Sequence, residues 1–154
     1  MITLDWSGRA EIKGDLLNKY VFDTSSLFKL FFLRSEVKVD ILRNSLISEL
    51  TFFEIGNVLR KRKDEALAKS SELNLLEIST EMEVVVGSIS KGTLFSQELP
   101  NILKISLESG LTFYDASFLY LTQRENRILV TEDQKLAKIA KKYNVESSSV
   151  NEVT

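Results

Sequence analysis

Short apolar runs alternate along the chain with longer stretches in which apolar residues recur every three or four positions. The short runs are rich in β-branched and aromatic residues and end in polar residues, which is typical of strands. The longer stretches have the periodicity of helices that bury one face. The predicted strands lie at residues 19–23, 45–48, 127–131 and 145–150, and the predicted helices at 27–33, 50–63, 64–78, 97–109, 113–124 and 133–142.

This alternation of strands and helices predicts an α/β fold. Its sheet is expected to be mainly parallel and covered by helices on both faces. In such folds ligands bind at the carboxyl ends of the strands. Asp23 and Asp133 each follow a predicted strand and precede a helix, so the pattern alone places both carboxylates on one rim of the sheet.

Some segments carry more local expectations. Ser25 and Ser26 are expected to cap the helix at 27–33, which is apolar almost all round and is therefore predicted to be buried on more than one side. Residues 81–89 stay open between helix and strand, because three consecutive valines favour a strand and the flanking glutamates do not. The helix at 50–63 is expected to carry one apolar stripe, formed by Phe52, Ile55 and Leu59.

The length of 154 residues and an ordinary composition fit one domain over residues 19–154, preceded by an extension over residues 1–18. No apolar run approaches the ~20 residues that span a bilayer. The first residues also lack the layout of a signal peptide, so the cytoplasm is the expected location. The chain has no cysteine and no histidine, which excludes disulfides and removes the commonest zinc ligands.

Four acidic residues in four different settings are the strongest candidates for chemistry. Singly, Asp23 and Asp133 have the positions of helix caps, and Asp115 lies in a first helical turn, where negative charge is favourable. Glu54 lies within a helix without a cation one turn away, so a half-buried carboxylate that needs a partner is expected there. Asn57, one turn further on, is placed to orient it. Brought together, four carboxylates would repel one another unless a hard cation such as Mg²⁺ held them.

Several other chemistries are disfavoured by missing motifs. Without a histidine base or a Gly-x-Ser-x-Gly sequence, serine hydrolysis is disfavoured. Nucleotide binding through a glycine-rich phosphate loop is disfavoured in the same way. A phosphoryl-accepting receiver domain stays open as an alternative, although such a domain needs paired acids near its first strand. Hydroxyl side chains accompany the acids, at Thr24, Ser25, Thr112, Ser117 and Thr131.

The net charge of −2 argues against a strongly basic nucleic-acid binder. If the four acids held metal, 18 acidic residues would remain against 20 lysines and arginines. A basic run follows Glu54 on its helix. It is either a solvated helix end whose cations suit the dipole or a contact for nucleic-acid phosphates. The run consists of Arg60, Lys61, Arg62 and Lys63.

Four blocks of sequence carry a family resemblance when they are taken in order. They are VFDTSSL at 21–27, LTFFEIGNVL at 50–59, GLTFYDAS at 110–117 and LVTEDQKL at 129–136. Together they resemble the motifs of PIN-domain ribonucleases, most of all the VapC-type toxins. Residues 1–18 lie outside the resemblance, and residues 64–105 match it in helical character only.

The resemblance implies a three-layer α/β/α sandwich with a pocket of four acids that holds Mg²⁺ or Mn²⁺. It implies an endoribonuclease that hydrolyses RNA phosphodiester bonds, with hydroxide supplied near neutral pH by the metal site. Glu132 departs from the small residue that is common at its position. The implied metal ligands and catalytic residues are Asp23, Glu54, Asp115 and Asp133, supported by Ser25, Asn57 and Thr131. As a separate hypothesis of the mechanism, Arg60, Lys61, Arg62 and Lys63 would contact RNA phosphates.

The same resemblance implies partners. A VapC-type toxin would have a small antitoxin protein encoded beside it, and RNA as its substrate. A homodimer is expected from the apolar helix at 27–33 and from nine phenylalanines in the chain. The main alternative is a PIN fold that no longer cuts and serves as a scaffold in an RNA-processing complex.

Overall fold

A computed structural model of the chain describes residues 3–4, 10–11, 19–33, 38–68 and 74–154. In the segment predicted to be an extension, strand β1 (Thr3–Leu4) pairs antiparallel with strand β2 (Ala10–Glu11). The rest of residues 1–18 lies outside the described part. The division into an extension and a domain at residue 19 therefore stays a prediction.

A parallel sheet of five strands forms the centre of the fold, in the order β5-β4-β3-β6-β7. Because β3 lies between β4 and β6, Val21 and Phe22 have no exposed surface. Phe22 is in register with Ile47 on one side and with Val130 on the other, so the three central strands end at one level. The strands are β3 (Tyr20–Phe22), β4 (Ser45–Ser48), β5 (Ser90–Gly92), β6 (Ile128–Val130) and β7 (Ser147–Ser148).

Helices cover both faces of this sheet. They are α1 (Thr24–Phe32), α2 (Lys38–Arg43), α3 (Leu50–Ala68), α4 (Leu75–Ser88), α5 (Leu99–Ser109), α6 (Phe113–Arg124), α7 (Gln134–Lys142) and α8 (Val150–Val153). A short 3₁₀ turn at Ser96–Glu98 precedes α5.

Alternate residues of the central strands enter two separate apolar cores. Val21 belongs to the core that it shares with α5, α6 and α7. Phe22 belongs to the core that it shares with α1 to α4 and α8. This alternation follows from the two-residue period of a strand, and it confirms the predicted three-layer α/β/α sandwich. No helix in the described ranges is both long enough and apolar enough to cross a membrane.

The predicted elements between residues 64 and 92 need correction. The helix predicted at 64–78 needs new bounds: residues 64–68 belong to α3, residues 69–73 lie outside the described part, and α4 begins at Leu75 after its N-cap Asn74. Residues 81–88 belong to α4, which resolves the open choice in favour of a helix. Strand β5 follows directly and was not predicted. Its sequence Ser-Lys-Gly has little strand propensity, and the strand forms by pairing with the edge of β4.

Two expectations about the helices were also wrong, one on the cap of α1 and one on the burial of Phe52. Asp23, and not Ser25 or Ser26, caps α1, because its carboxylate accepts a hydrogen bond from the Ser26 amide. Phe52 does not join the core and is 67% exposed. The apolar stripe of α3 therefore begins at Ile55 and continues to Leu59, both of which are buried.

Candidate active site

All four acidic candidates line one open cavity of about 420 Å³. Asp23 and Asp133 lie at the carboxyl ends of the neighbouring strands β3 and β6, as the strand pattern predicts. Glu54 reaches the cavity from α3, and Asp115 from the first turn of α6. The fold thus gathers carboxylates from four separate segments of the chain at one edge of the sheet.

Asp23 is the most firmly held of the four. The residue is only 6% exposed, and its Oδ1 accepts hydrogen bonds from the Ser25 hydroxyl at 2.9 Å and from the Ser26 amide at 2.8 Å. Its Oδ2 accepts a hydrogen bond from the Thr131 hydroxyl across the sheet. Both carboxylate oxygens are therefore oriented without any cationic partner among the described residues.

Glu54 is half-buried and has a partner, as the sequence suggested, but the partner is a different residue. The Thr24 hydroxyl donates a hydrogen bond to its Oε2. Burial is the main cause that raises the pKa of Glu54, the Thr24 bond acts against it, and the nearby charges of Asp115 and Asp23 raise the pKa further. Glu54 therefore lies within the electrostatic reach of two of the other acids.

Asn57 does not accompany Glu54. It is exposed and lines a neighbouring cavity of about 480 Å³ between α3 and α4, together with Phe52 and Phe53. It makes no hydrogen bond with any residue that the structure describes. Thr24 takes the place that the sequence assigned to Asn57. The sequence held one signal for Thr24: it is a hydroxyl residue that directly follows Asp23.

Asp115 and Asp133 are both fixed at helix starts. The Thr112 hydroxyl donates to Asp115 Oδ2 at 2.6 Å and accepts the Asp115 amide hydrogen at 3.1 Å. Asp133 caps α7, and its Oδ1 accepts hydrogen bonds from the backbone amides of Lys135 at 2.7 Å and Leu136 at 3.0 Å. These two acids are more exposed than Asp23.

Thr131 connects two of the acids. While its hydroxyl donates to Asp23, the same oxygen accepts the Asp133 amide hydrogen at 3.0 Å. Glu132, between them in sequence, points away from the cavity: it pairs with Lys29 at 2.7 Å and accepts the Val150 amide hydrogen at 2.9 Å. Glu132 therefore joins the last helix to α1.

Only one member of the basic run reaches the cavity. Arg62 lines it, half-buried against Phe28 and Phe32. Arg60, Lys61 and Lys63 are exposed on the remainder of α3 and do not line the cavity.

The donors of the cavity match a hard divalent cation in kind, because carboxylate and hydroxyl oxygens are the ligands that Mg²⁺ and Mn²⁺ prefer. The pKa of Glu54 is raised mainly by burial and further by two like charges, and a bound cation would offset both effects. As they stand, no three of the described acidic side chains form a group that could hold an ion. Mutual repulsion is the physical reason for such carboxylates to stand apart.

Fold and site together define an α/β/α domain with an acid-lined cavity at the carboxyl ends of its parallel strands. The family model of the PIN domain matches residues 20–142, which is most of the chain. The chain therefore belongs to the PIN domain family and is of the VapC type. This match sets aside the receiver domain that the sequence left open.

A relative and a solved structure from Pyrobaculum aerophilum are both similar to this chain. Exonuclease VapC9 is 30% identical over 123 residues, which cover 77% of this chain and 83% of that protein. The crystal structure of PAE2754 matches with a TM-score of 0.72 and 27% identity, and the match covers 88% of this chain and 92% of that one. The family and the relative together support nuclease activity, which is the general part of the predicted function.

Proposed function

We propose that this protein is a metal-dependent ribonuclease whose metal site is formed by Asp23, Glu54, Asp115 and Asp133. The observation that carries the proposal is the meeting of these four carboxylates in one cavity at the carboxyl ends of β3 and β6. The relative named an exonuclease supports phosphodiester chemistry. With no histidine in the chain, metal chemistry accounts for hydrolysis near neutral pH.

The proposed roles rest on where the four carboxylates lie around the cavity. Asp23, held at both oxygens, provides the rigid part of the site. Glu54 and Asp115 approach it from the helix side and would close on a cation. When bound, Mg²⁺ or Mn²⁺ would polarise the phosphate and make hydroxide available near neutral pH. Asp115 or Asp133 would orient the attacking water for in-line displacement.

Asp23→Asn tests this proposal. We expect it to lower Mg²⁺-dependent RNA cleavage at least about 100-fold, because the substitution removes the charge of the most rigid ligand. Cleavage of a fluorescent single-stranded RNA with Mg²⁺, with Mn²⁺ and with a chelator is the measurement. Asp40→Asn is the matched control, since Asp40 is an exposed aspartate on α2. Full activity in Asp23→Asn, or undiminished wild-type cleavage in chelator, would refute the mechanism.

Whether the protein cuts within the RNA or from an end needs its own test. The family resemblance implies an endoribonuclease, and the relative is named an exonuclease. A circular RNA distinguishes them because it has no end. We propose internal cleavage, since the cavity is open, and therefore expect the circle to be linearised. Degradation of the linear RNA alone would establish an exonuclease.

The scaffold alternative predicts the same fold without a working site. A calorimetric Mg²⁺ titration separates the two, because a ribonuclease needs a binding event that Asp115→Asn weakens. Metal binding that is absent in the wild type, together with retained RNA binding, would favour the scaffold.

We also propose a small antitoxin-like partner. The support is the apolar cavity between α3 and α4 with the two exposed rings of Phe52 and Phe53, next in sequence to Glu54. Co-expression with the product of the adjacent reading frame should give a complex with suppressed cleavage. The cytoplasm is the location we propose for both proteins, since RNA is the substrate.

We also propose a homodimer, but through other residues than those that the sequence suggested. Leu27 and Leu30 of the helix that suggested it lie in the core. The support now comes from α5, where Leu99, Leu103 and Leu107 are exposed at four-residue spacing on one face. Light scattering on the purified protein should give twice the mass of one chain, and Leu103→Glu should halve it.

A further inference from the structure

We propose that Arg62 is a preorganised clamp for a phosphate that neighbours the reacting one, and that Phe28 and Phe32 hold it in place. This inference rests on the proposed ribonuclease function and adds a specific substrate contact to it. The basic run as a whole does not act at the site; one guanidinium does.

The position of Arg62 is set by two stacked rings. Its Cζ lies 5.5 Å from the ring centroid of Phe28 and 5.2 Å from that of Phe32, both within the range of a cation–π contact. The two rings are nearly parallel, at 19°, with centroids 6.4 Å apart. Phe28 belongs to the core, whereas Phe32 is 46% exposed. The guanidinium therefore lies over one buried ring and one partly exposed ring.

The guanidinium of Arg62 lies over two rings, and no residue that the structure describes accepts a hydrogen bond from it. A guanidinium contacts aromatic rings through its face, while its N–H donors point outward in the plane. Arg62 forms no ion pair with any side chain that the structure describes, although four carboxylates share its cavity. A planar fork of donors held in this way matches the oxygens of a phosphate in a bidentate arrangement.

The distance along α3 indicates which phosphate is contacted. Arg62 follows Glu54 by eight residues, a rise of about 12 Å along the helix. The guanidinium nevertheless lines the same cavity as Glu54. It still borders the acids from one side. The phosphate it meets is therefore a neighbour of the one at the carboxylates.

The first experiment compares Arg62→Gln with Arg60→Gln, a charge-matched control on the exposed part of the same helix. For an RNA of several nucleotides, we expect Arg62→Gln to raise KM about tenfold or more with little change in kcat, since one flanking contact is lost. Its salt dependence of RNA binding should lose about 0.7 in slope, the value of one phosphate contact on a single strand. Equal effects of the two substitutions would overturn the proposal.

The second experiment varies the substrate. A dinucleotide has one phosphodiester and no neighbouring phosphate, so Arg62→Gln and the wild type should cleave it equally. The same equality is expected for an RNA whose neighbouring phosphate is a neutral methylphosphonate. A loss of dinucleotide cleavage in Arg62→Gln would place the residue at the reacting phosphate and overturn the assignment.

Phe32→Leu tests the positioning role of the ring. It keeps the charge of Arg62 and removes one of its two stacking partners. KM should rise less than in Arg62→Gln, with an unchanged salt slope and an unchanged kcat. An unaltered KM would show that the ring does not position the arginine. Arg62→Lys serves as a second variant if Arg62→Gln does not fold, and it should retain the salt slope while losing the bidentate contact.

The outcomes distinguish this inference from the proposed function. If the wild type does not cleave RNA with metal, the ribonuclease proposal fails, and the binding slopes still decide whether Arg62 contacts a phosphate. If the wild type cleaves and Arg62→Gln behaves like Arg60→Gln, only the clamp fails.

Discussion

At the scale of single residues, hydroxyl groups hold the carboxylates of the cavity. Thr24 bonds Glu54, Ser25 bonds Asp23, and Thr112 bonds Asp115. A hydroxyl orients a carboxylate without cancelling its charge, whereas a lysine or arginine partner would neutralise it. This choice of partner keeps negative charge available in the cavity, which is what a site for a divalent cation requires.

Thr131 is the residue where this role can be measured most directly. Thr131→Val keeps the shape and removes the hydroxyl that donates to Asp23 and accepts from Asp133. Because the residue is buried, we expect the free energy of unfolding to fall by about 1–3 kcal/mol. RNA cleavage should fall with it. Denaturant unfolding and cleavage rates are the measurements. Thr131→Ser keeps the hydroxyl and should retain most of both; equal losses in the two variants would contradict the role of the hydroxyl.

At the scale of elements, three of the four acids lie at helix N-termini. Asp23 caps α1, Asp133 caps α7, and Asp115 lies in the first turn of α6. Each helix presents the positive end of its dipole to the cavity, which favours a nearby carboxylate by about 0.3–1 kcal/mol. Capping and a functional role are therefore not alternatives here, because the same helix ends that need a cap also offset the repulsion among the acids.

The contact between the edge strand β5 and α6 gives a prediction for Gly92. A Cβ at this position would lie 2.7 Å from a Leu121 methyl carbon, and Leu121 is fully buried. Gly92→Ala is expected to cost about 1–3 kcal/mol of unfolding free energy through overpacking. Gly87→Ala in α4 is the matched control: nothing lies within 4 Å of its Cβ, and it should stabilise by about 0.5–1 kcal/mol. Thermal unfolding of both variants is the measurement, and a neutral Gly92→Ala would contradict the tight contact.

The start of α5 and the end of α6 are joined by a largely buried ion pair that gives a pH prediction. Glu98 bonds the Phe95 amide at 2.7 Å and Arg124 at 2.8 Å. The Phe95 amide first, and then Arg124, lower the pKa of Glu98 below its ordinary value against the effect of burial. The stabilisation is therefore present at neutral pH and is lost as the pH falls through the lowered pKa.

Glu98→Gln removes this charge. We expect it to lower the free energy of unfolding by about 1–3 kcal/mol at pH 7, and the difference from the wild type should narrow as the pH falls from the ordinary pKa of a glutamate through the lowered pKa of Glu98. Denaturant unfolding over a pH series measures it, with the exposed Glu108→Gln as the control. A difference that stays constant into acid would contradict the ionised contact.

At the scale of the whole molecule, folding concentrates like charge. Residues 23, 54, 115 and 133 are far apart in the chain, and the parallel sheet with its helices places all of them around one cavity. Burial is the main cause of the raised pKa of Glu54, and the charges of Asp115 and Asp23 raise it further. A protein that carries such strain at its site is expected to gain stability when the site is dismantled or filled.

Asp115→Asn tests this trade of stability for function. Without metal, we expect its melting temperature to equal or exceed that of the wild type, because one charge that acts on Glu54 is gone. With Mg²⁺ at about 100 times Kd, the wild type should gain about 2.7 kcal/mol, and the variant much less. Thermal scans with chelator and with Mg²⁺ measure both effects, with Asp40→Asn as control. A metal-free variant that is clearly less stable than the wild type would count against the repulsion.

Much of the site was predictable because local chemistry specified it. A strand followed by an acid and a helix cap locates Asp23 and Asp133, and Thr112 caps α6 as its position suggests. Gly110 ends α5 with a φ of 68°, in the left-handed region that glycine adopts most readily. In each of these places the residue and its partner are close in sequence, so the pattern contains the whole interaction.

The predictions that failed depended on contacts between residues that are far apart in sequence. Strand β5 forms because β4 offers an unpaired edge, and Phe52 is exposed because α4 does not cover it. Thr24 became the partner of Glu54 through the packing of α1 against α3, thirty positions apart in sequence, and the same packing brought Arg62 onto Phe28 and Phe32. The sequence by itself determined the class of fold, the family and the acids that meet. Tertiary structure alone decided which hydroxyl holds Glu54 and which cation reaches the cavity, because those contacts depend on how two helices pack and not on the period of either one.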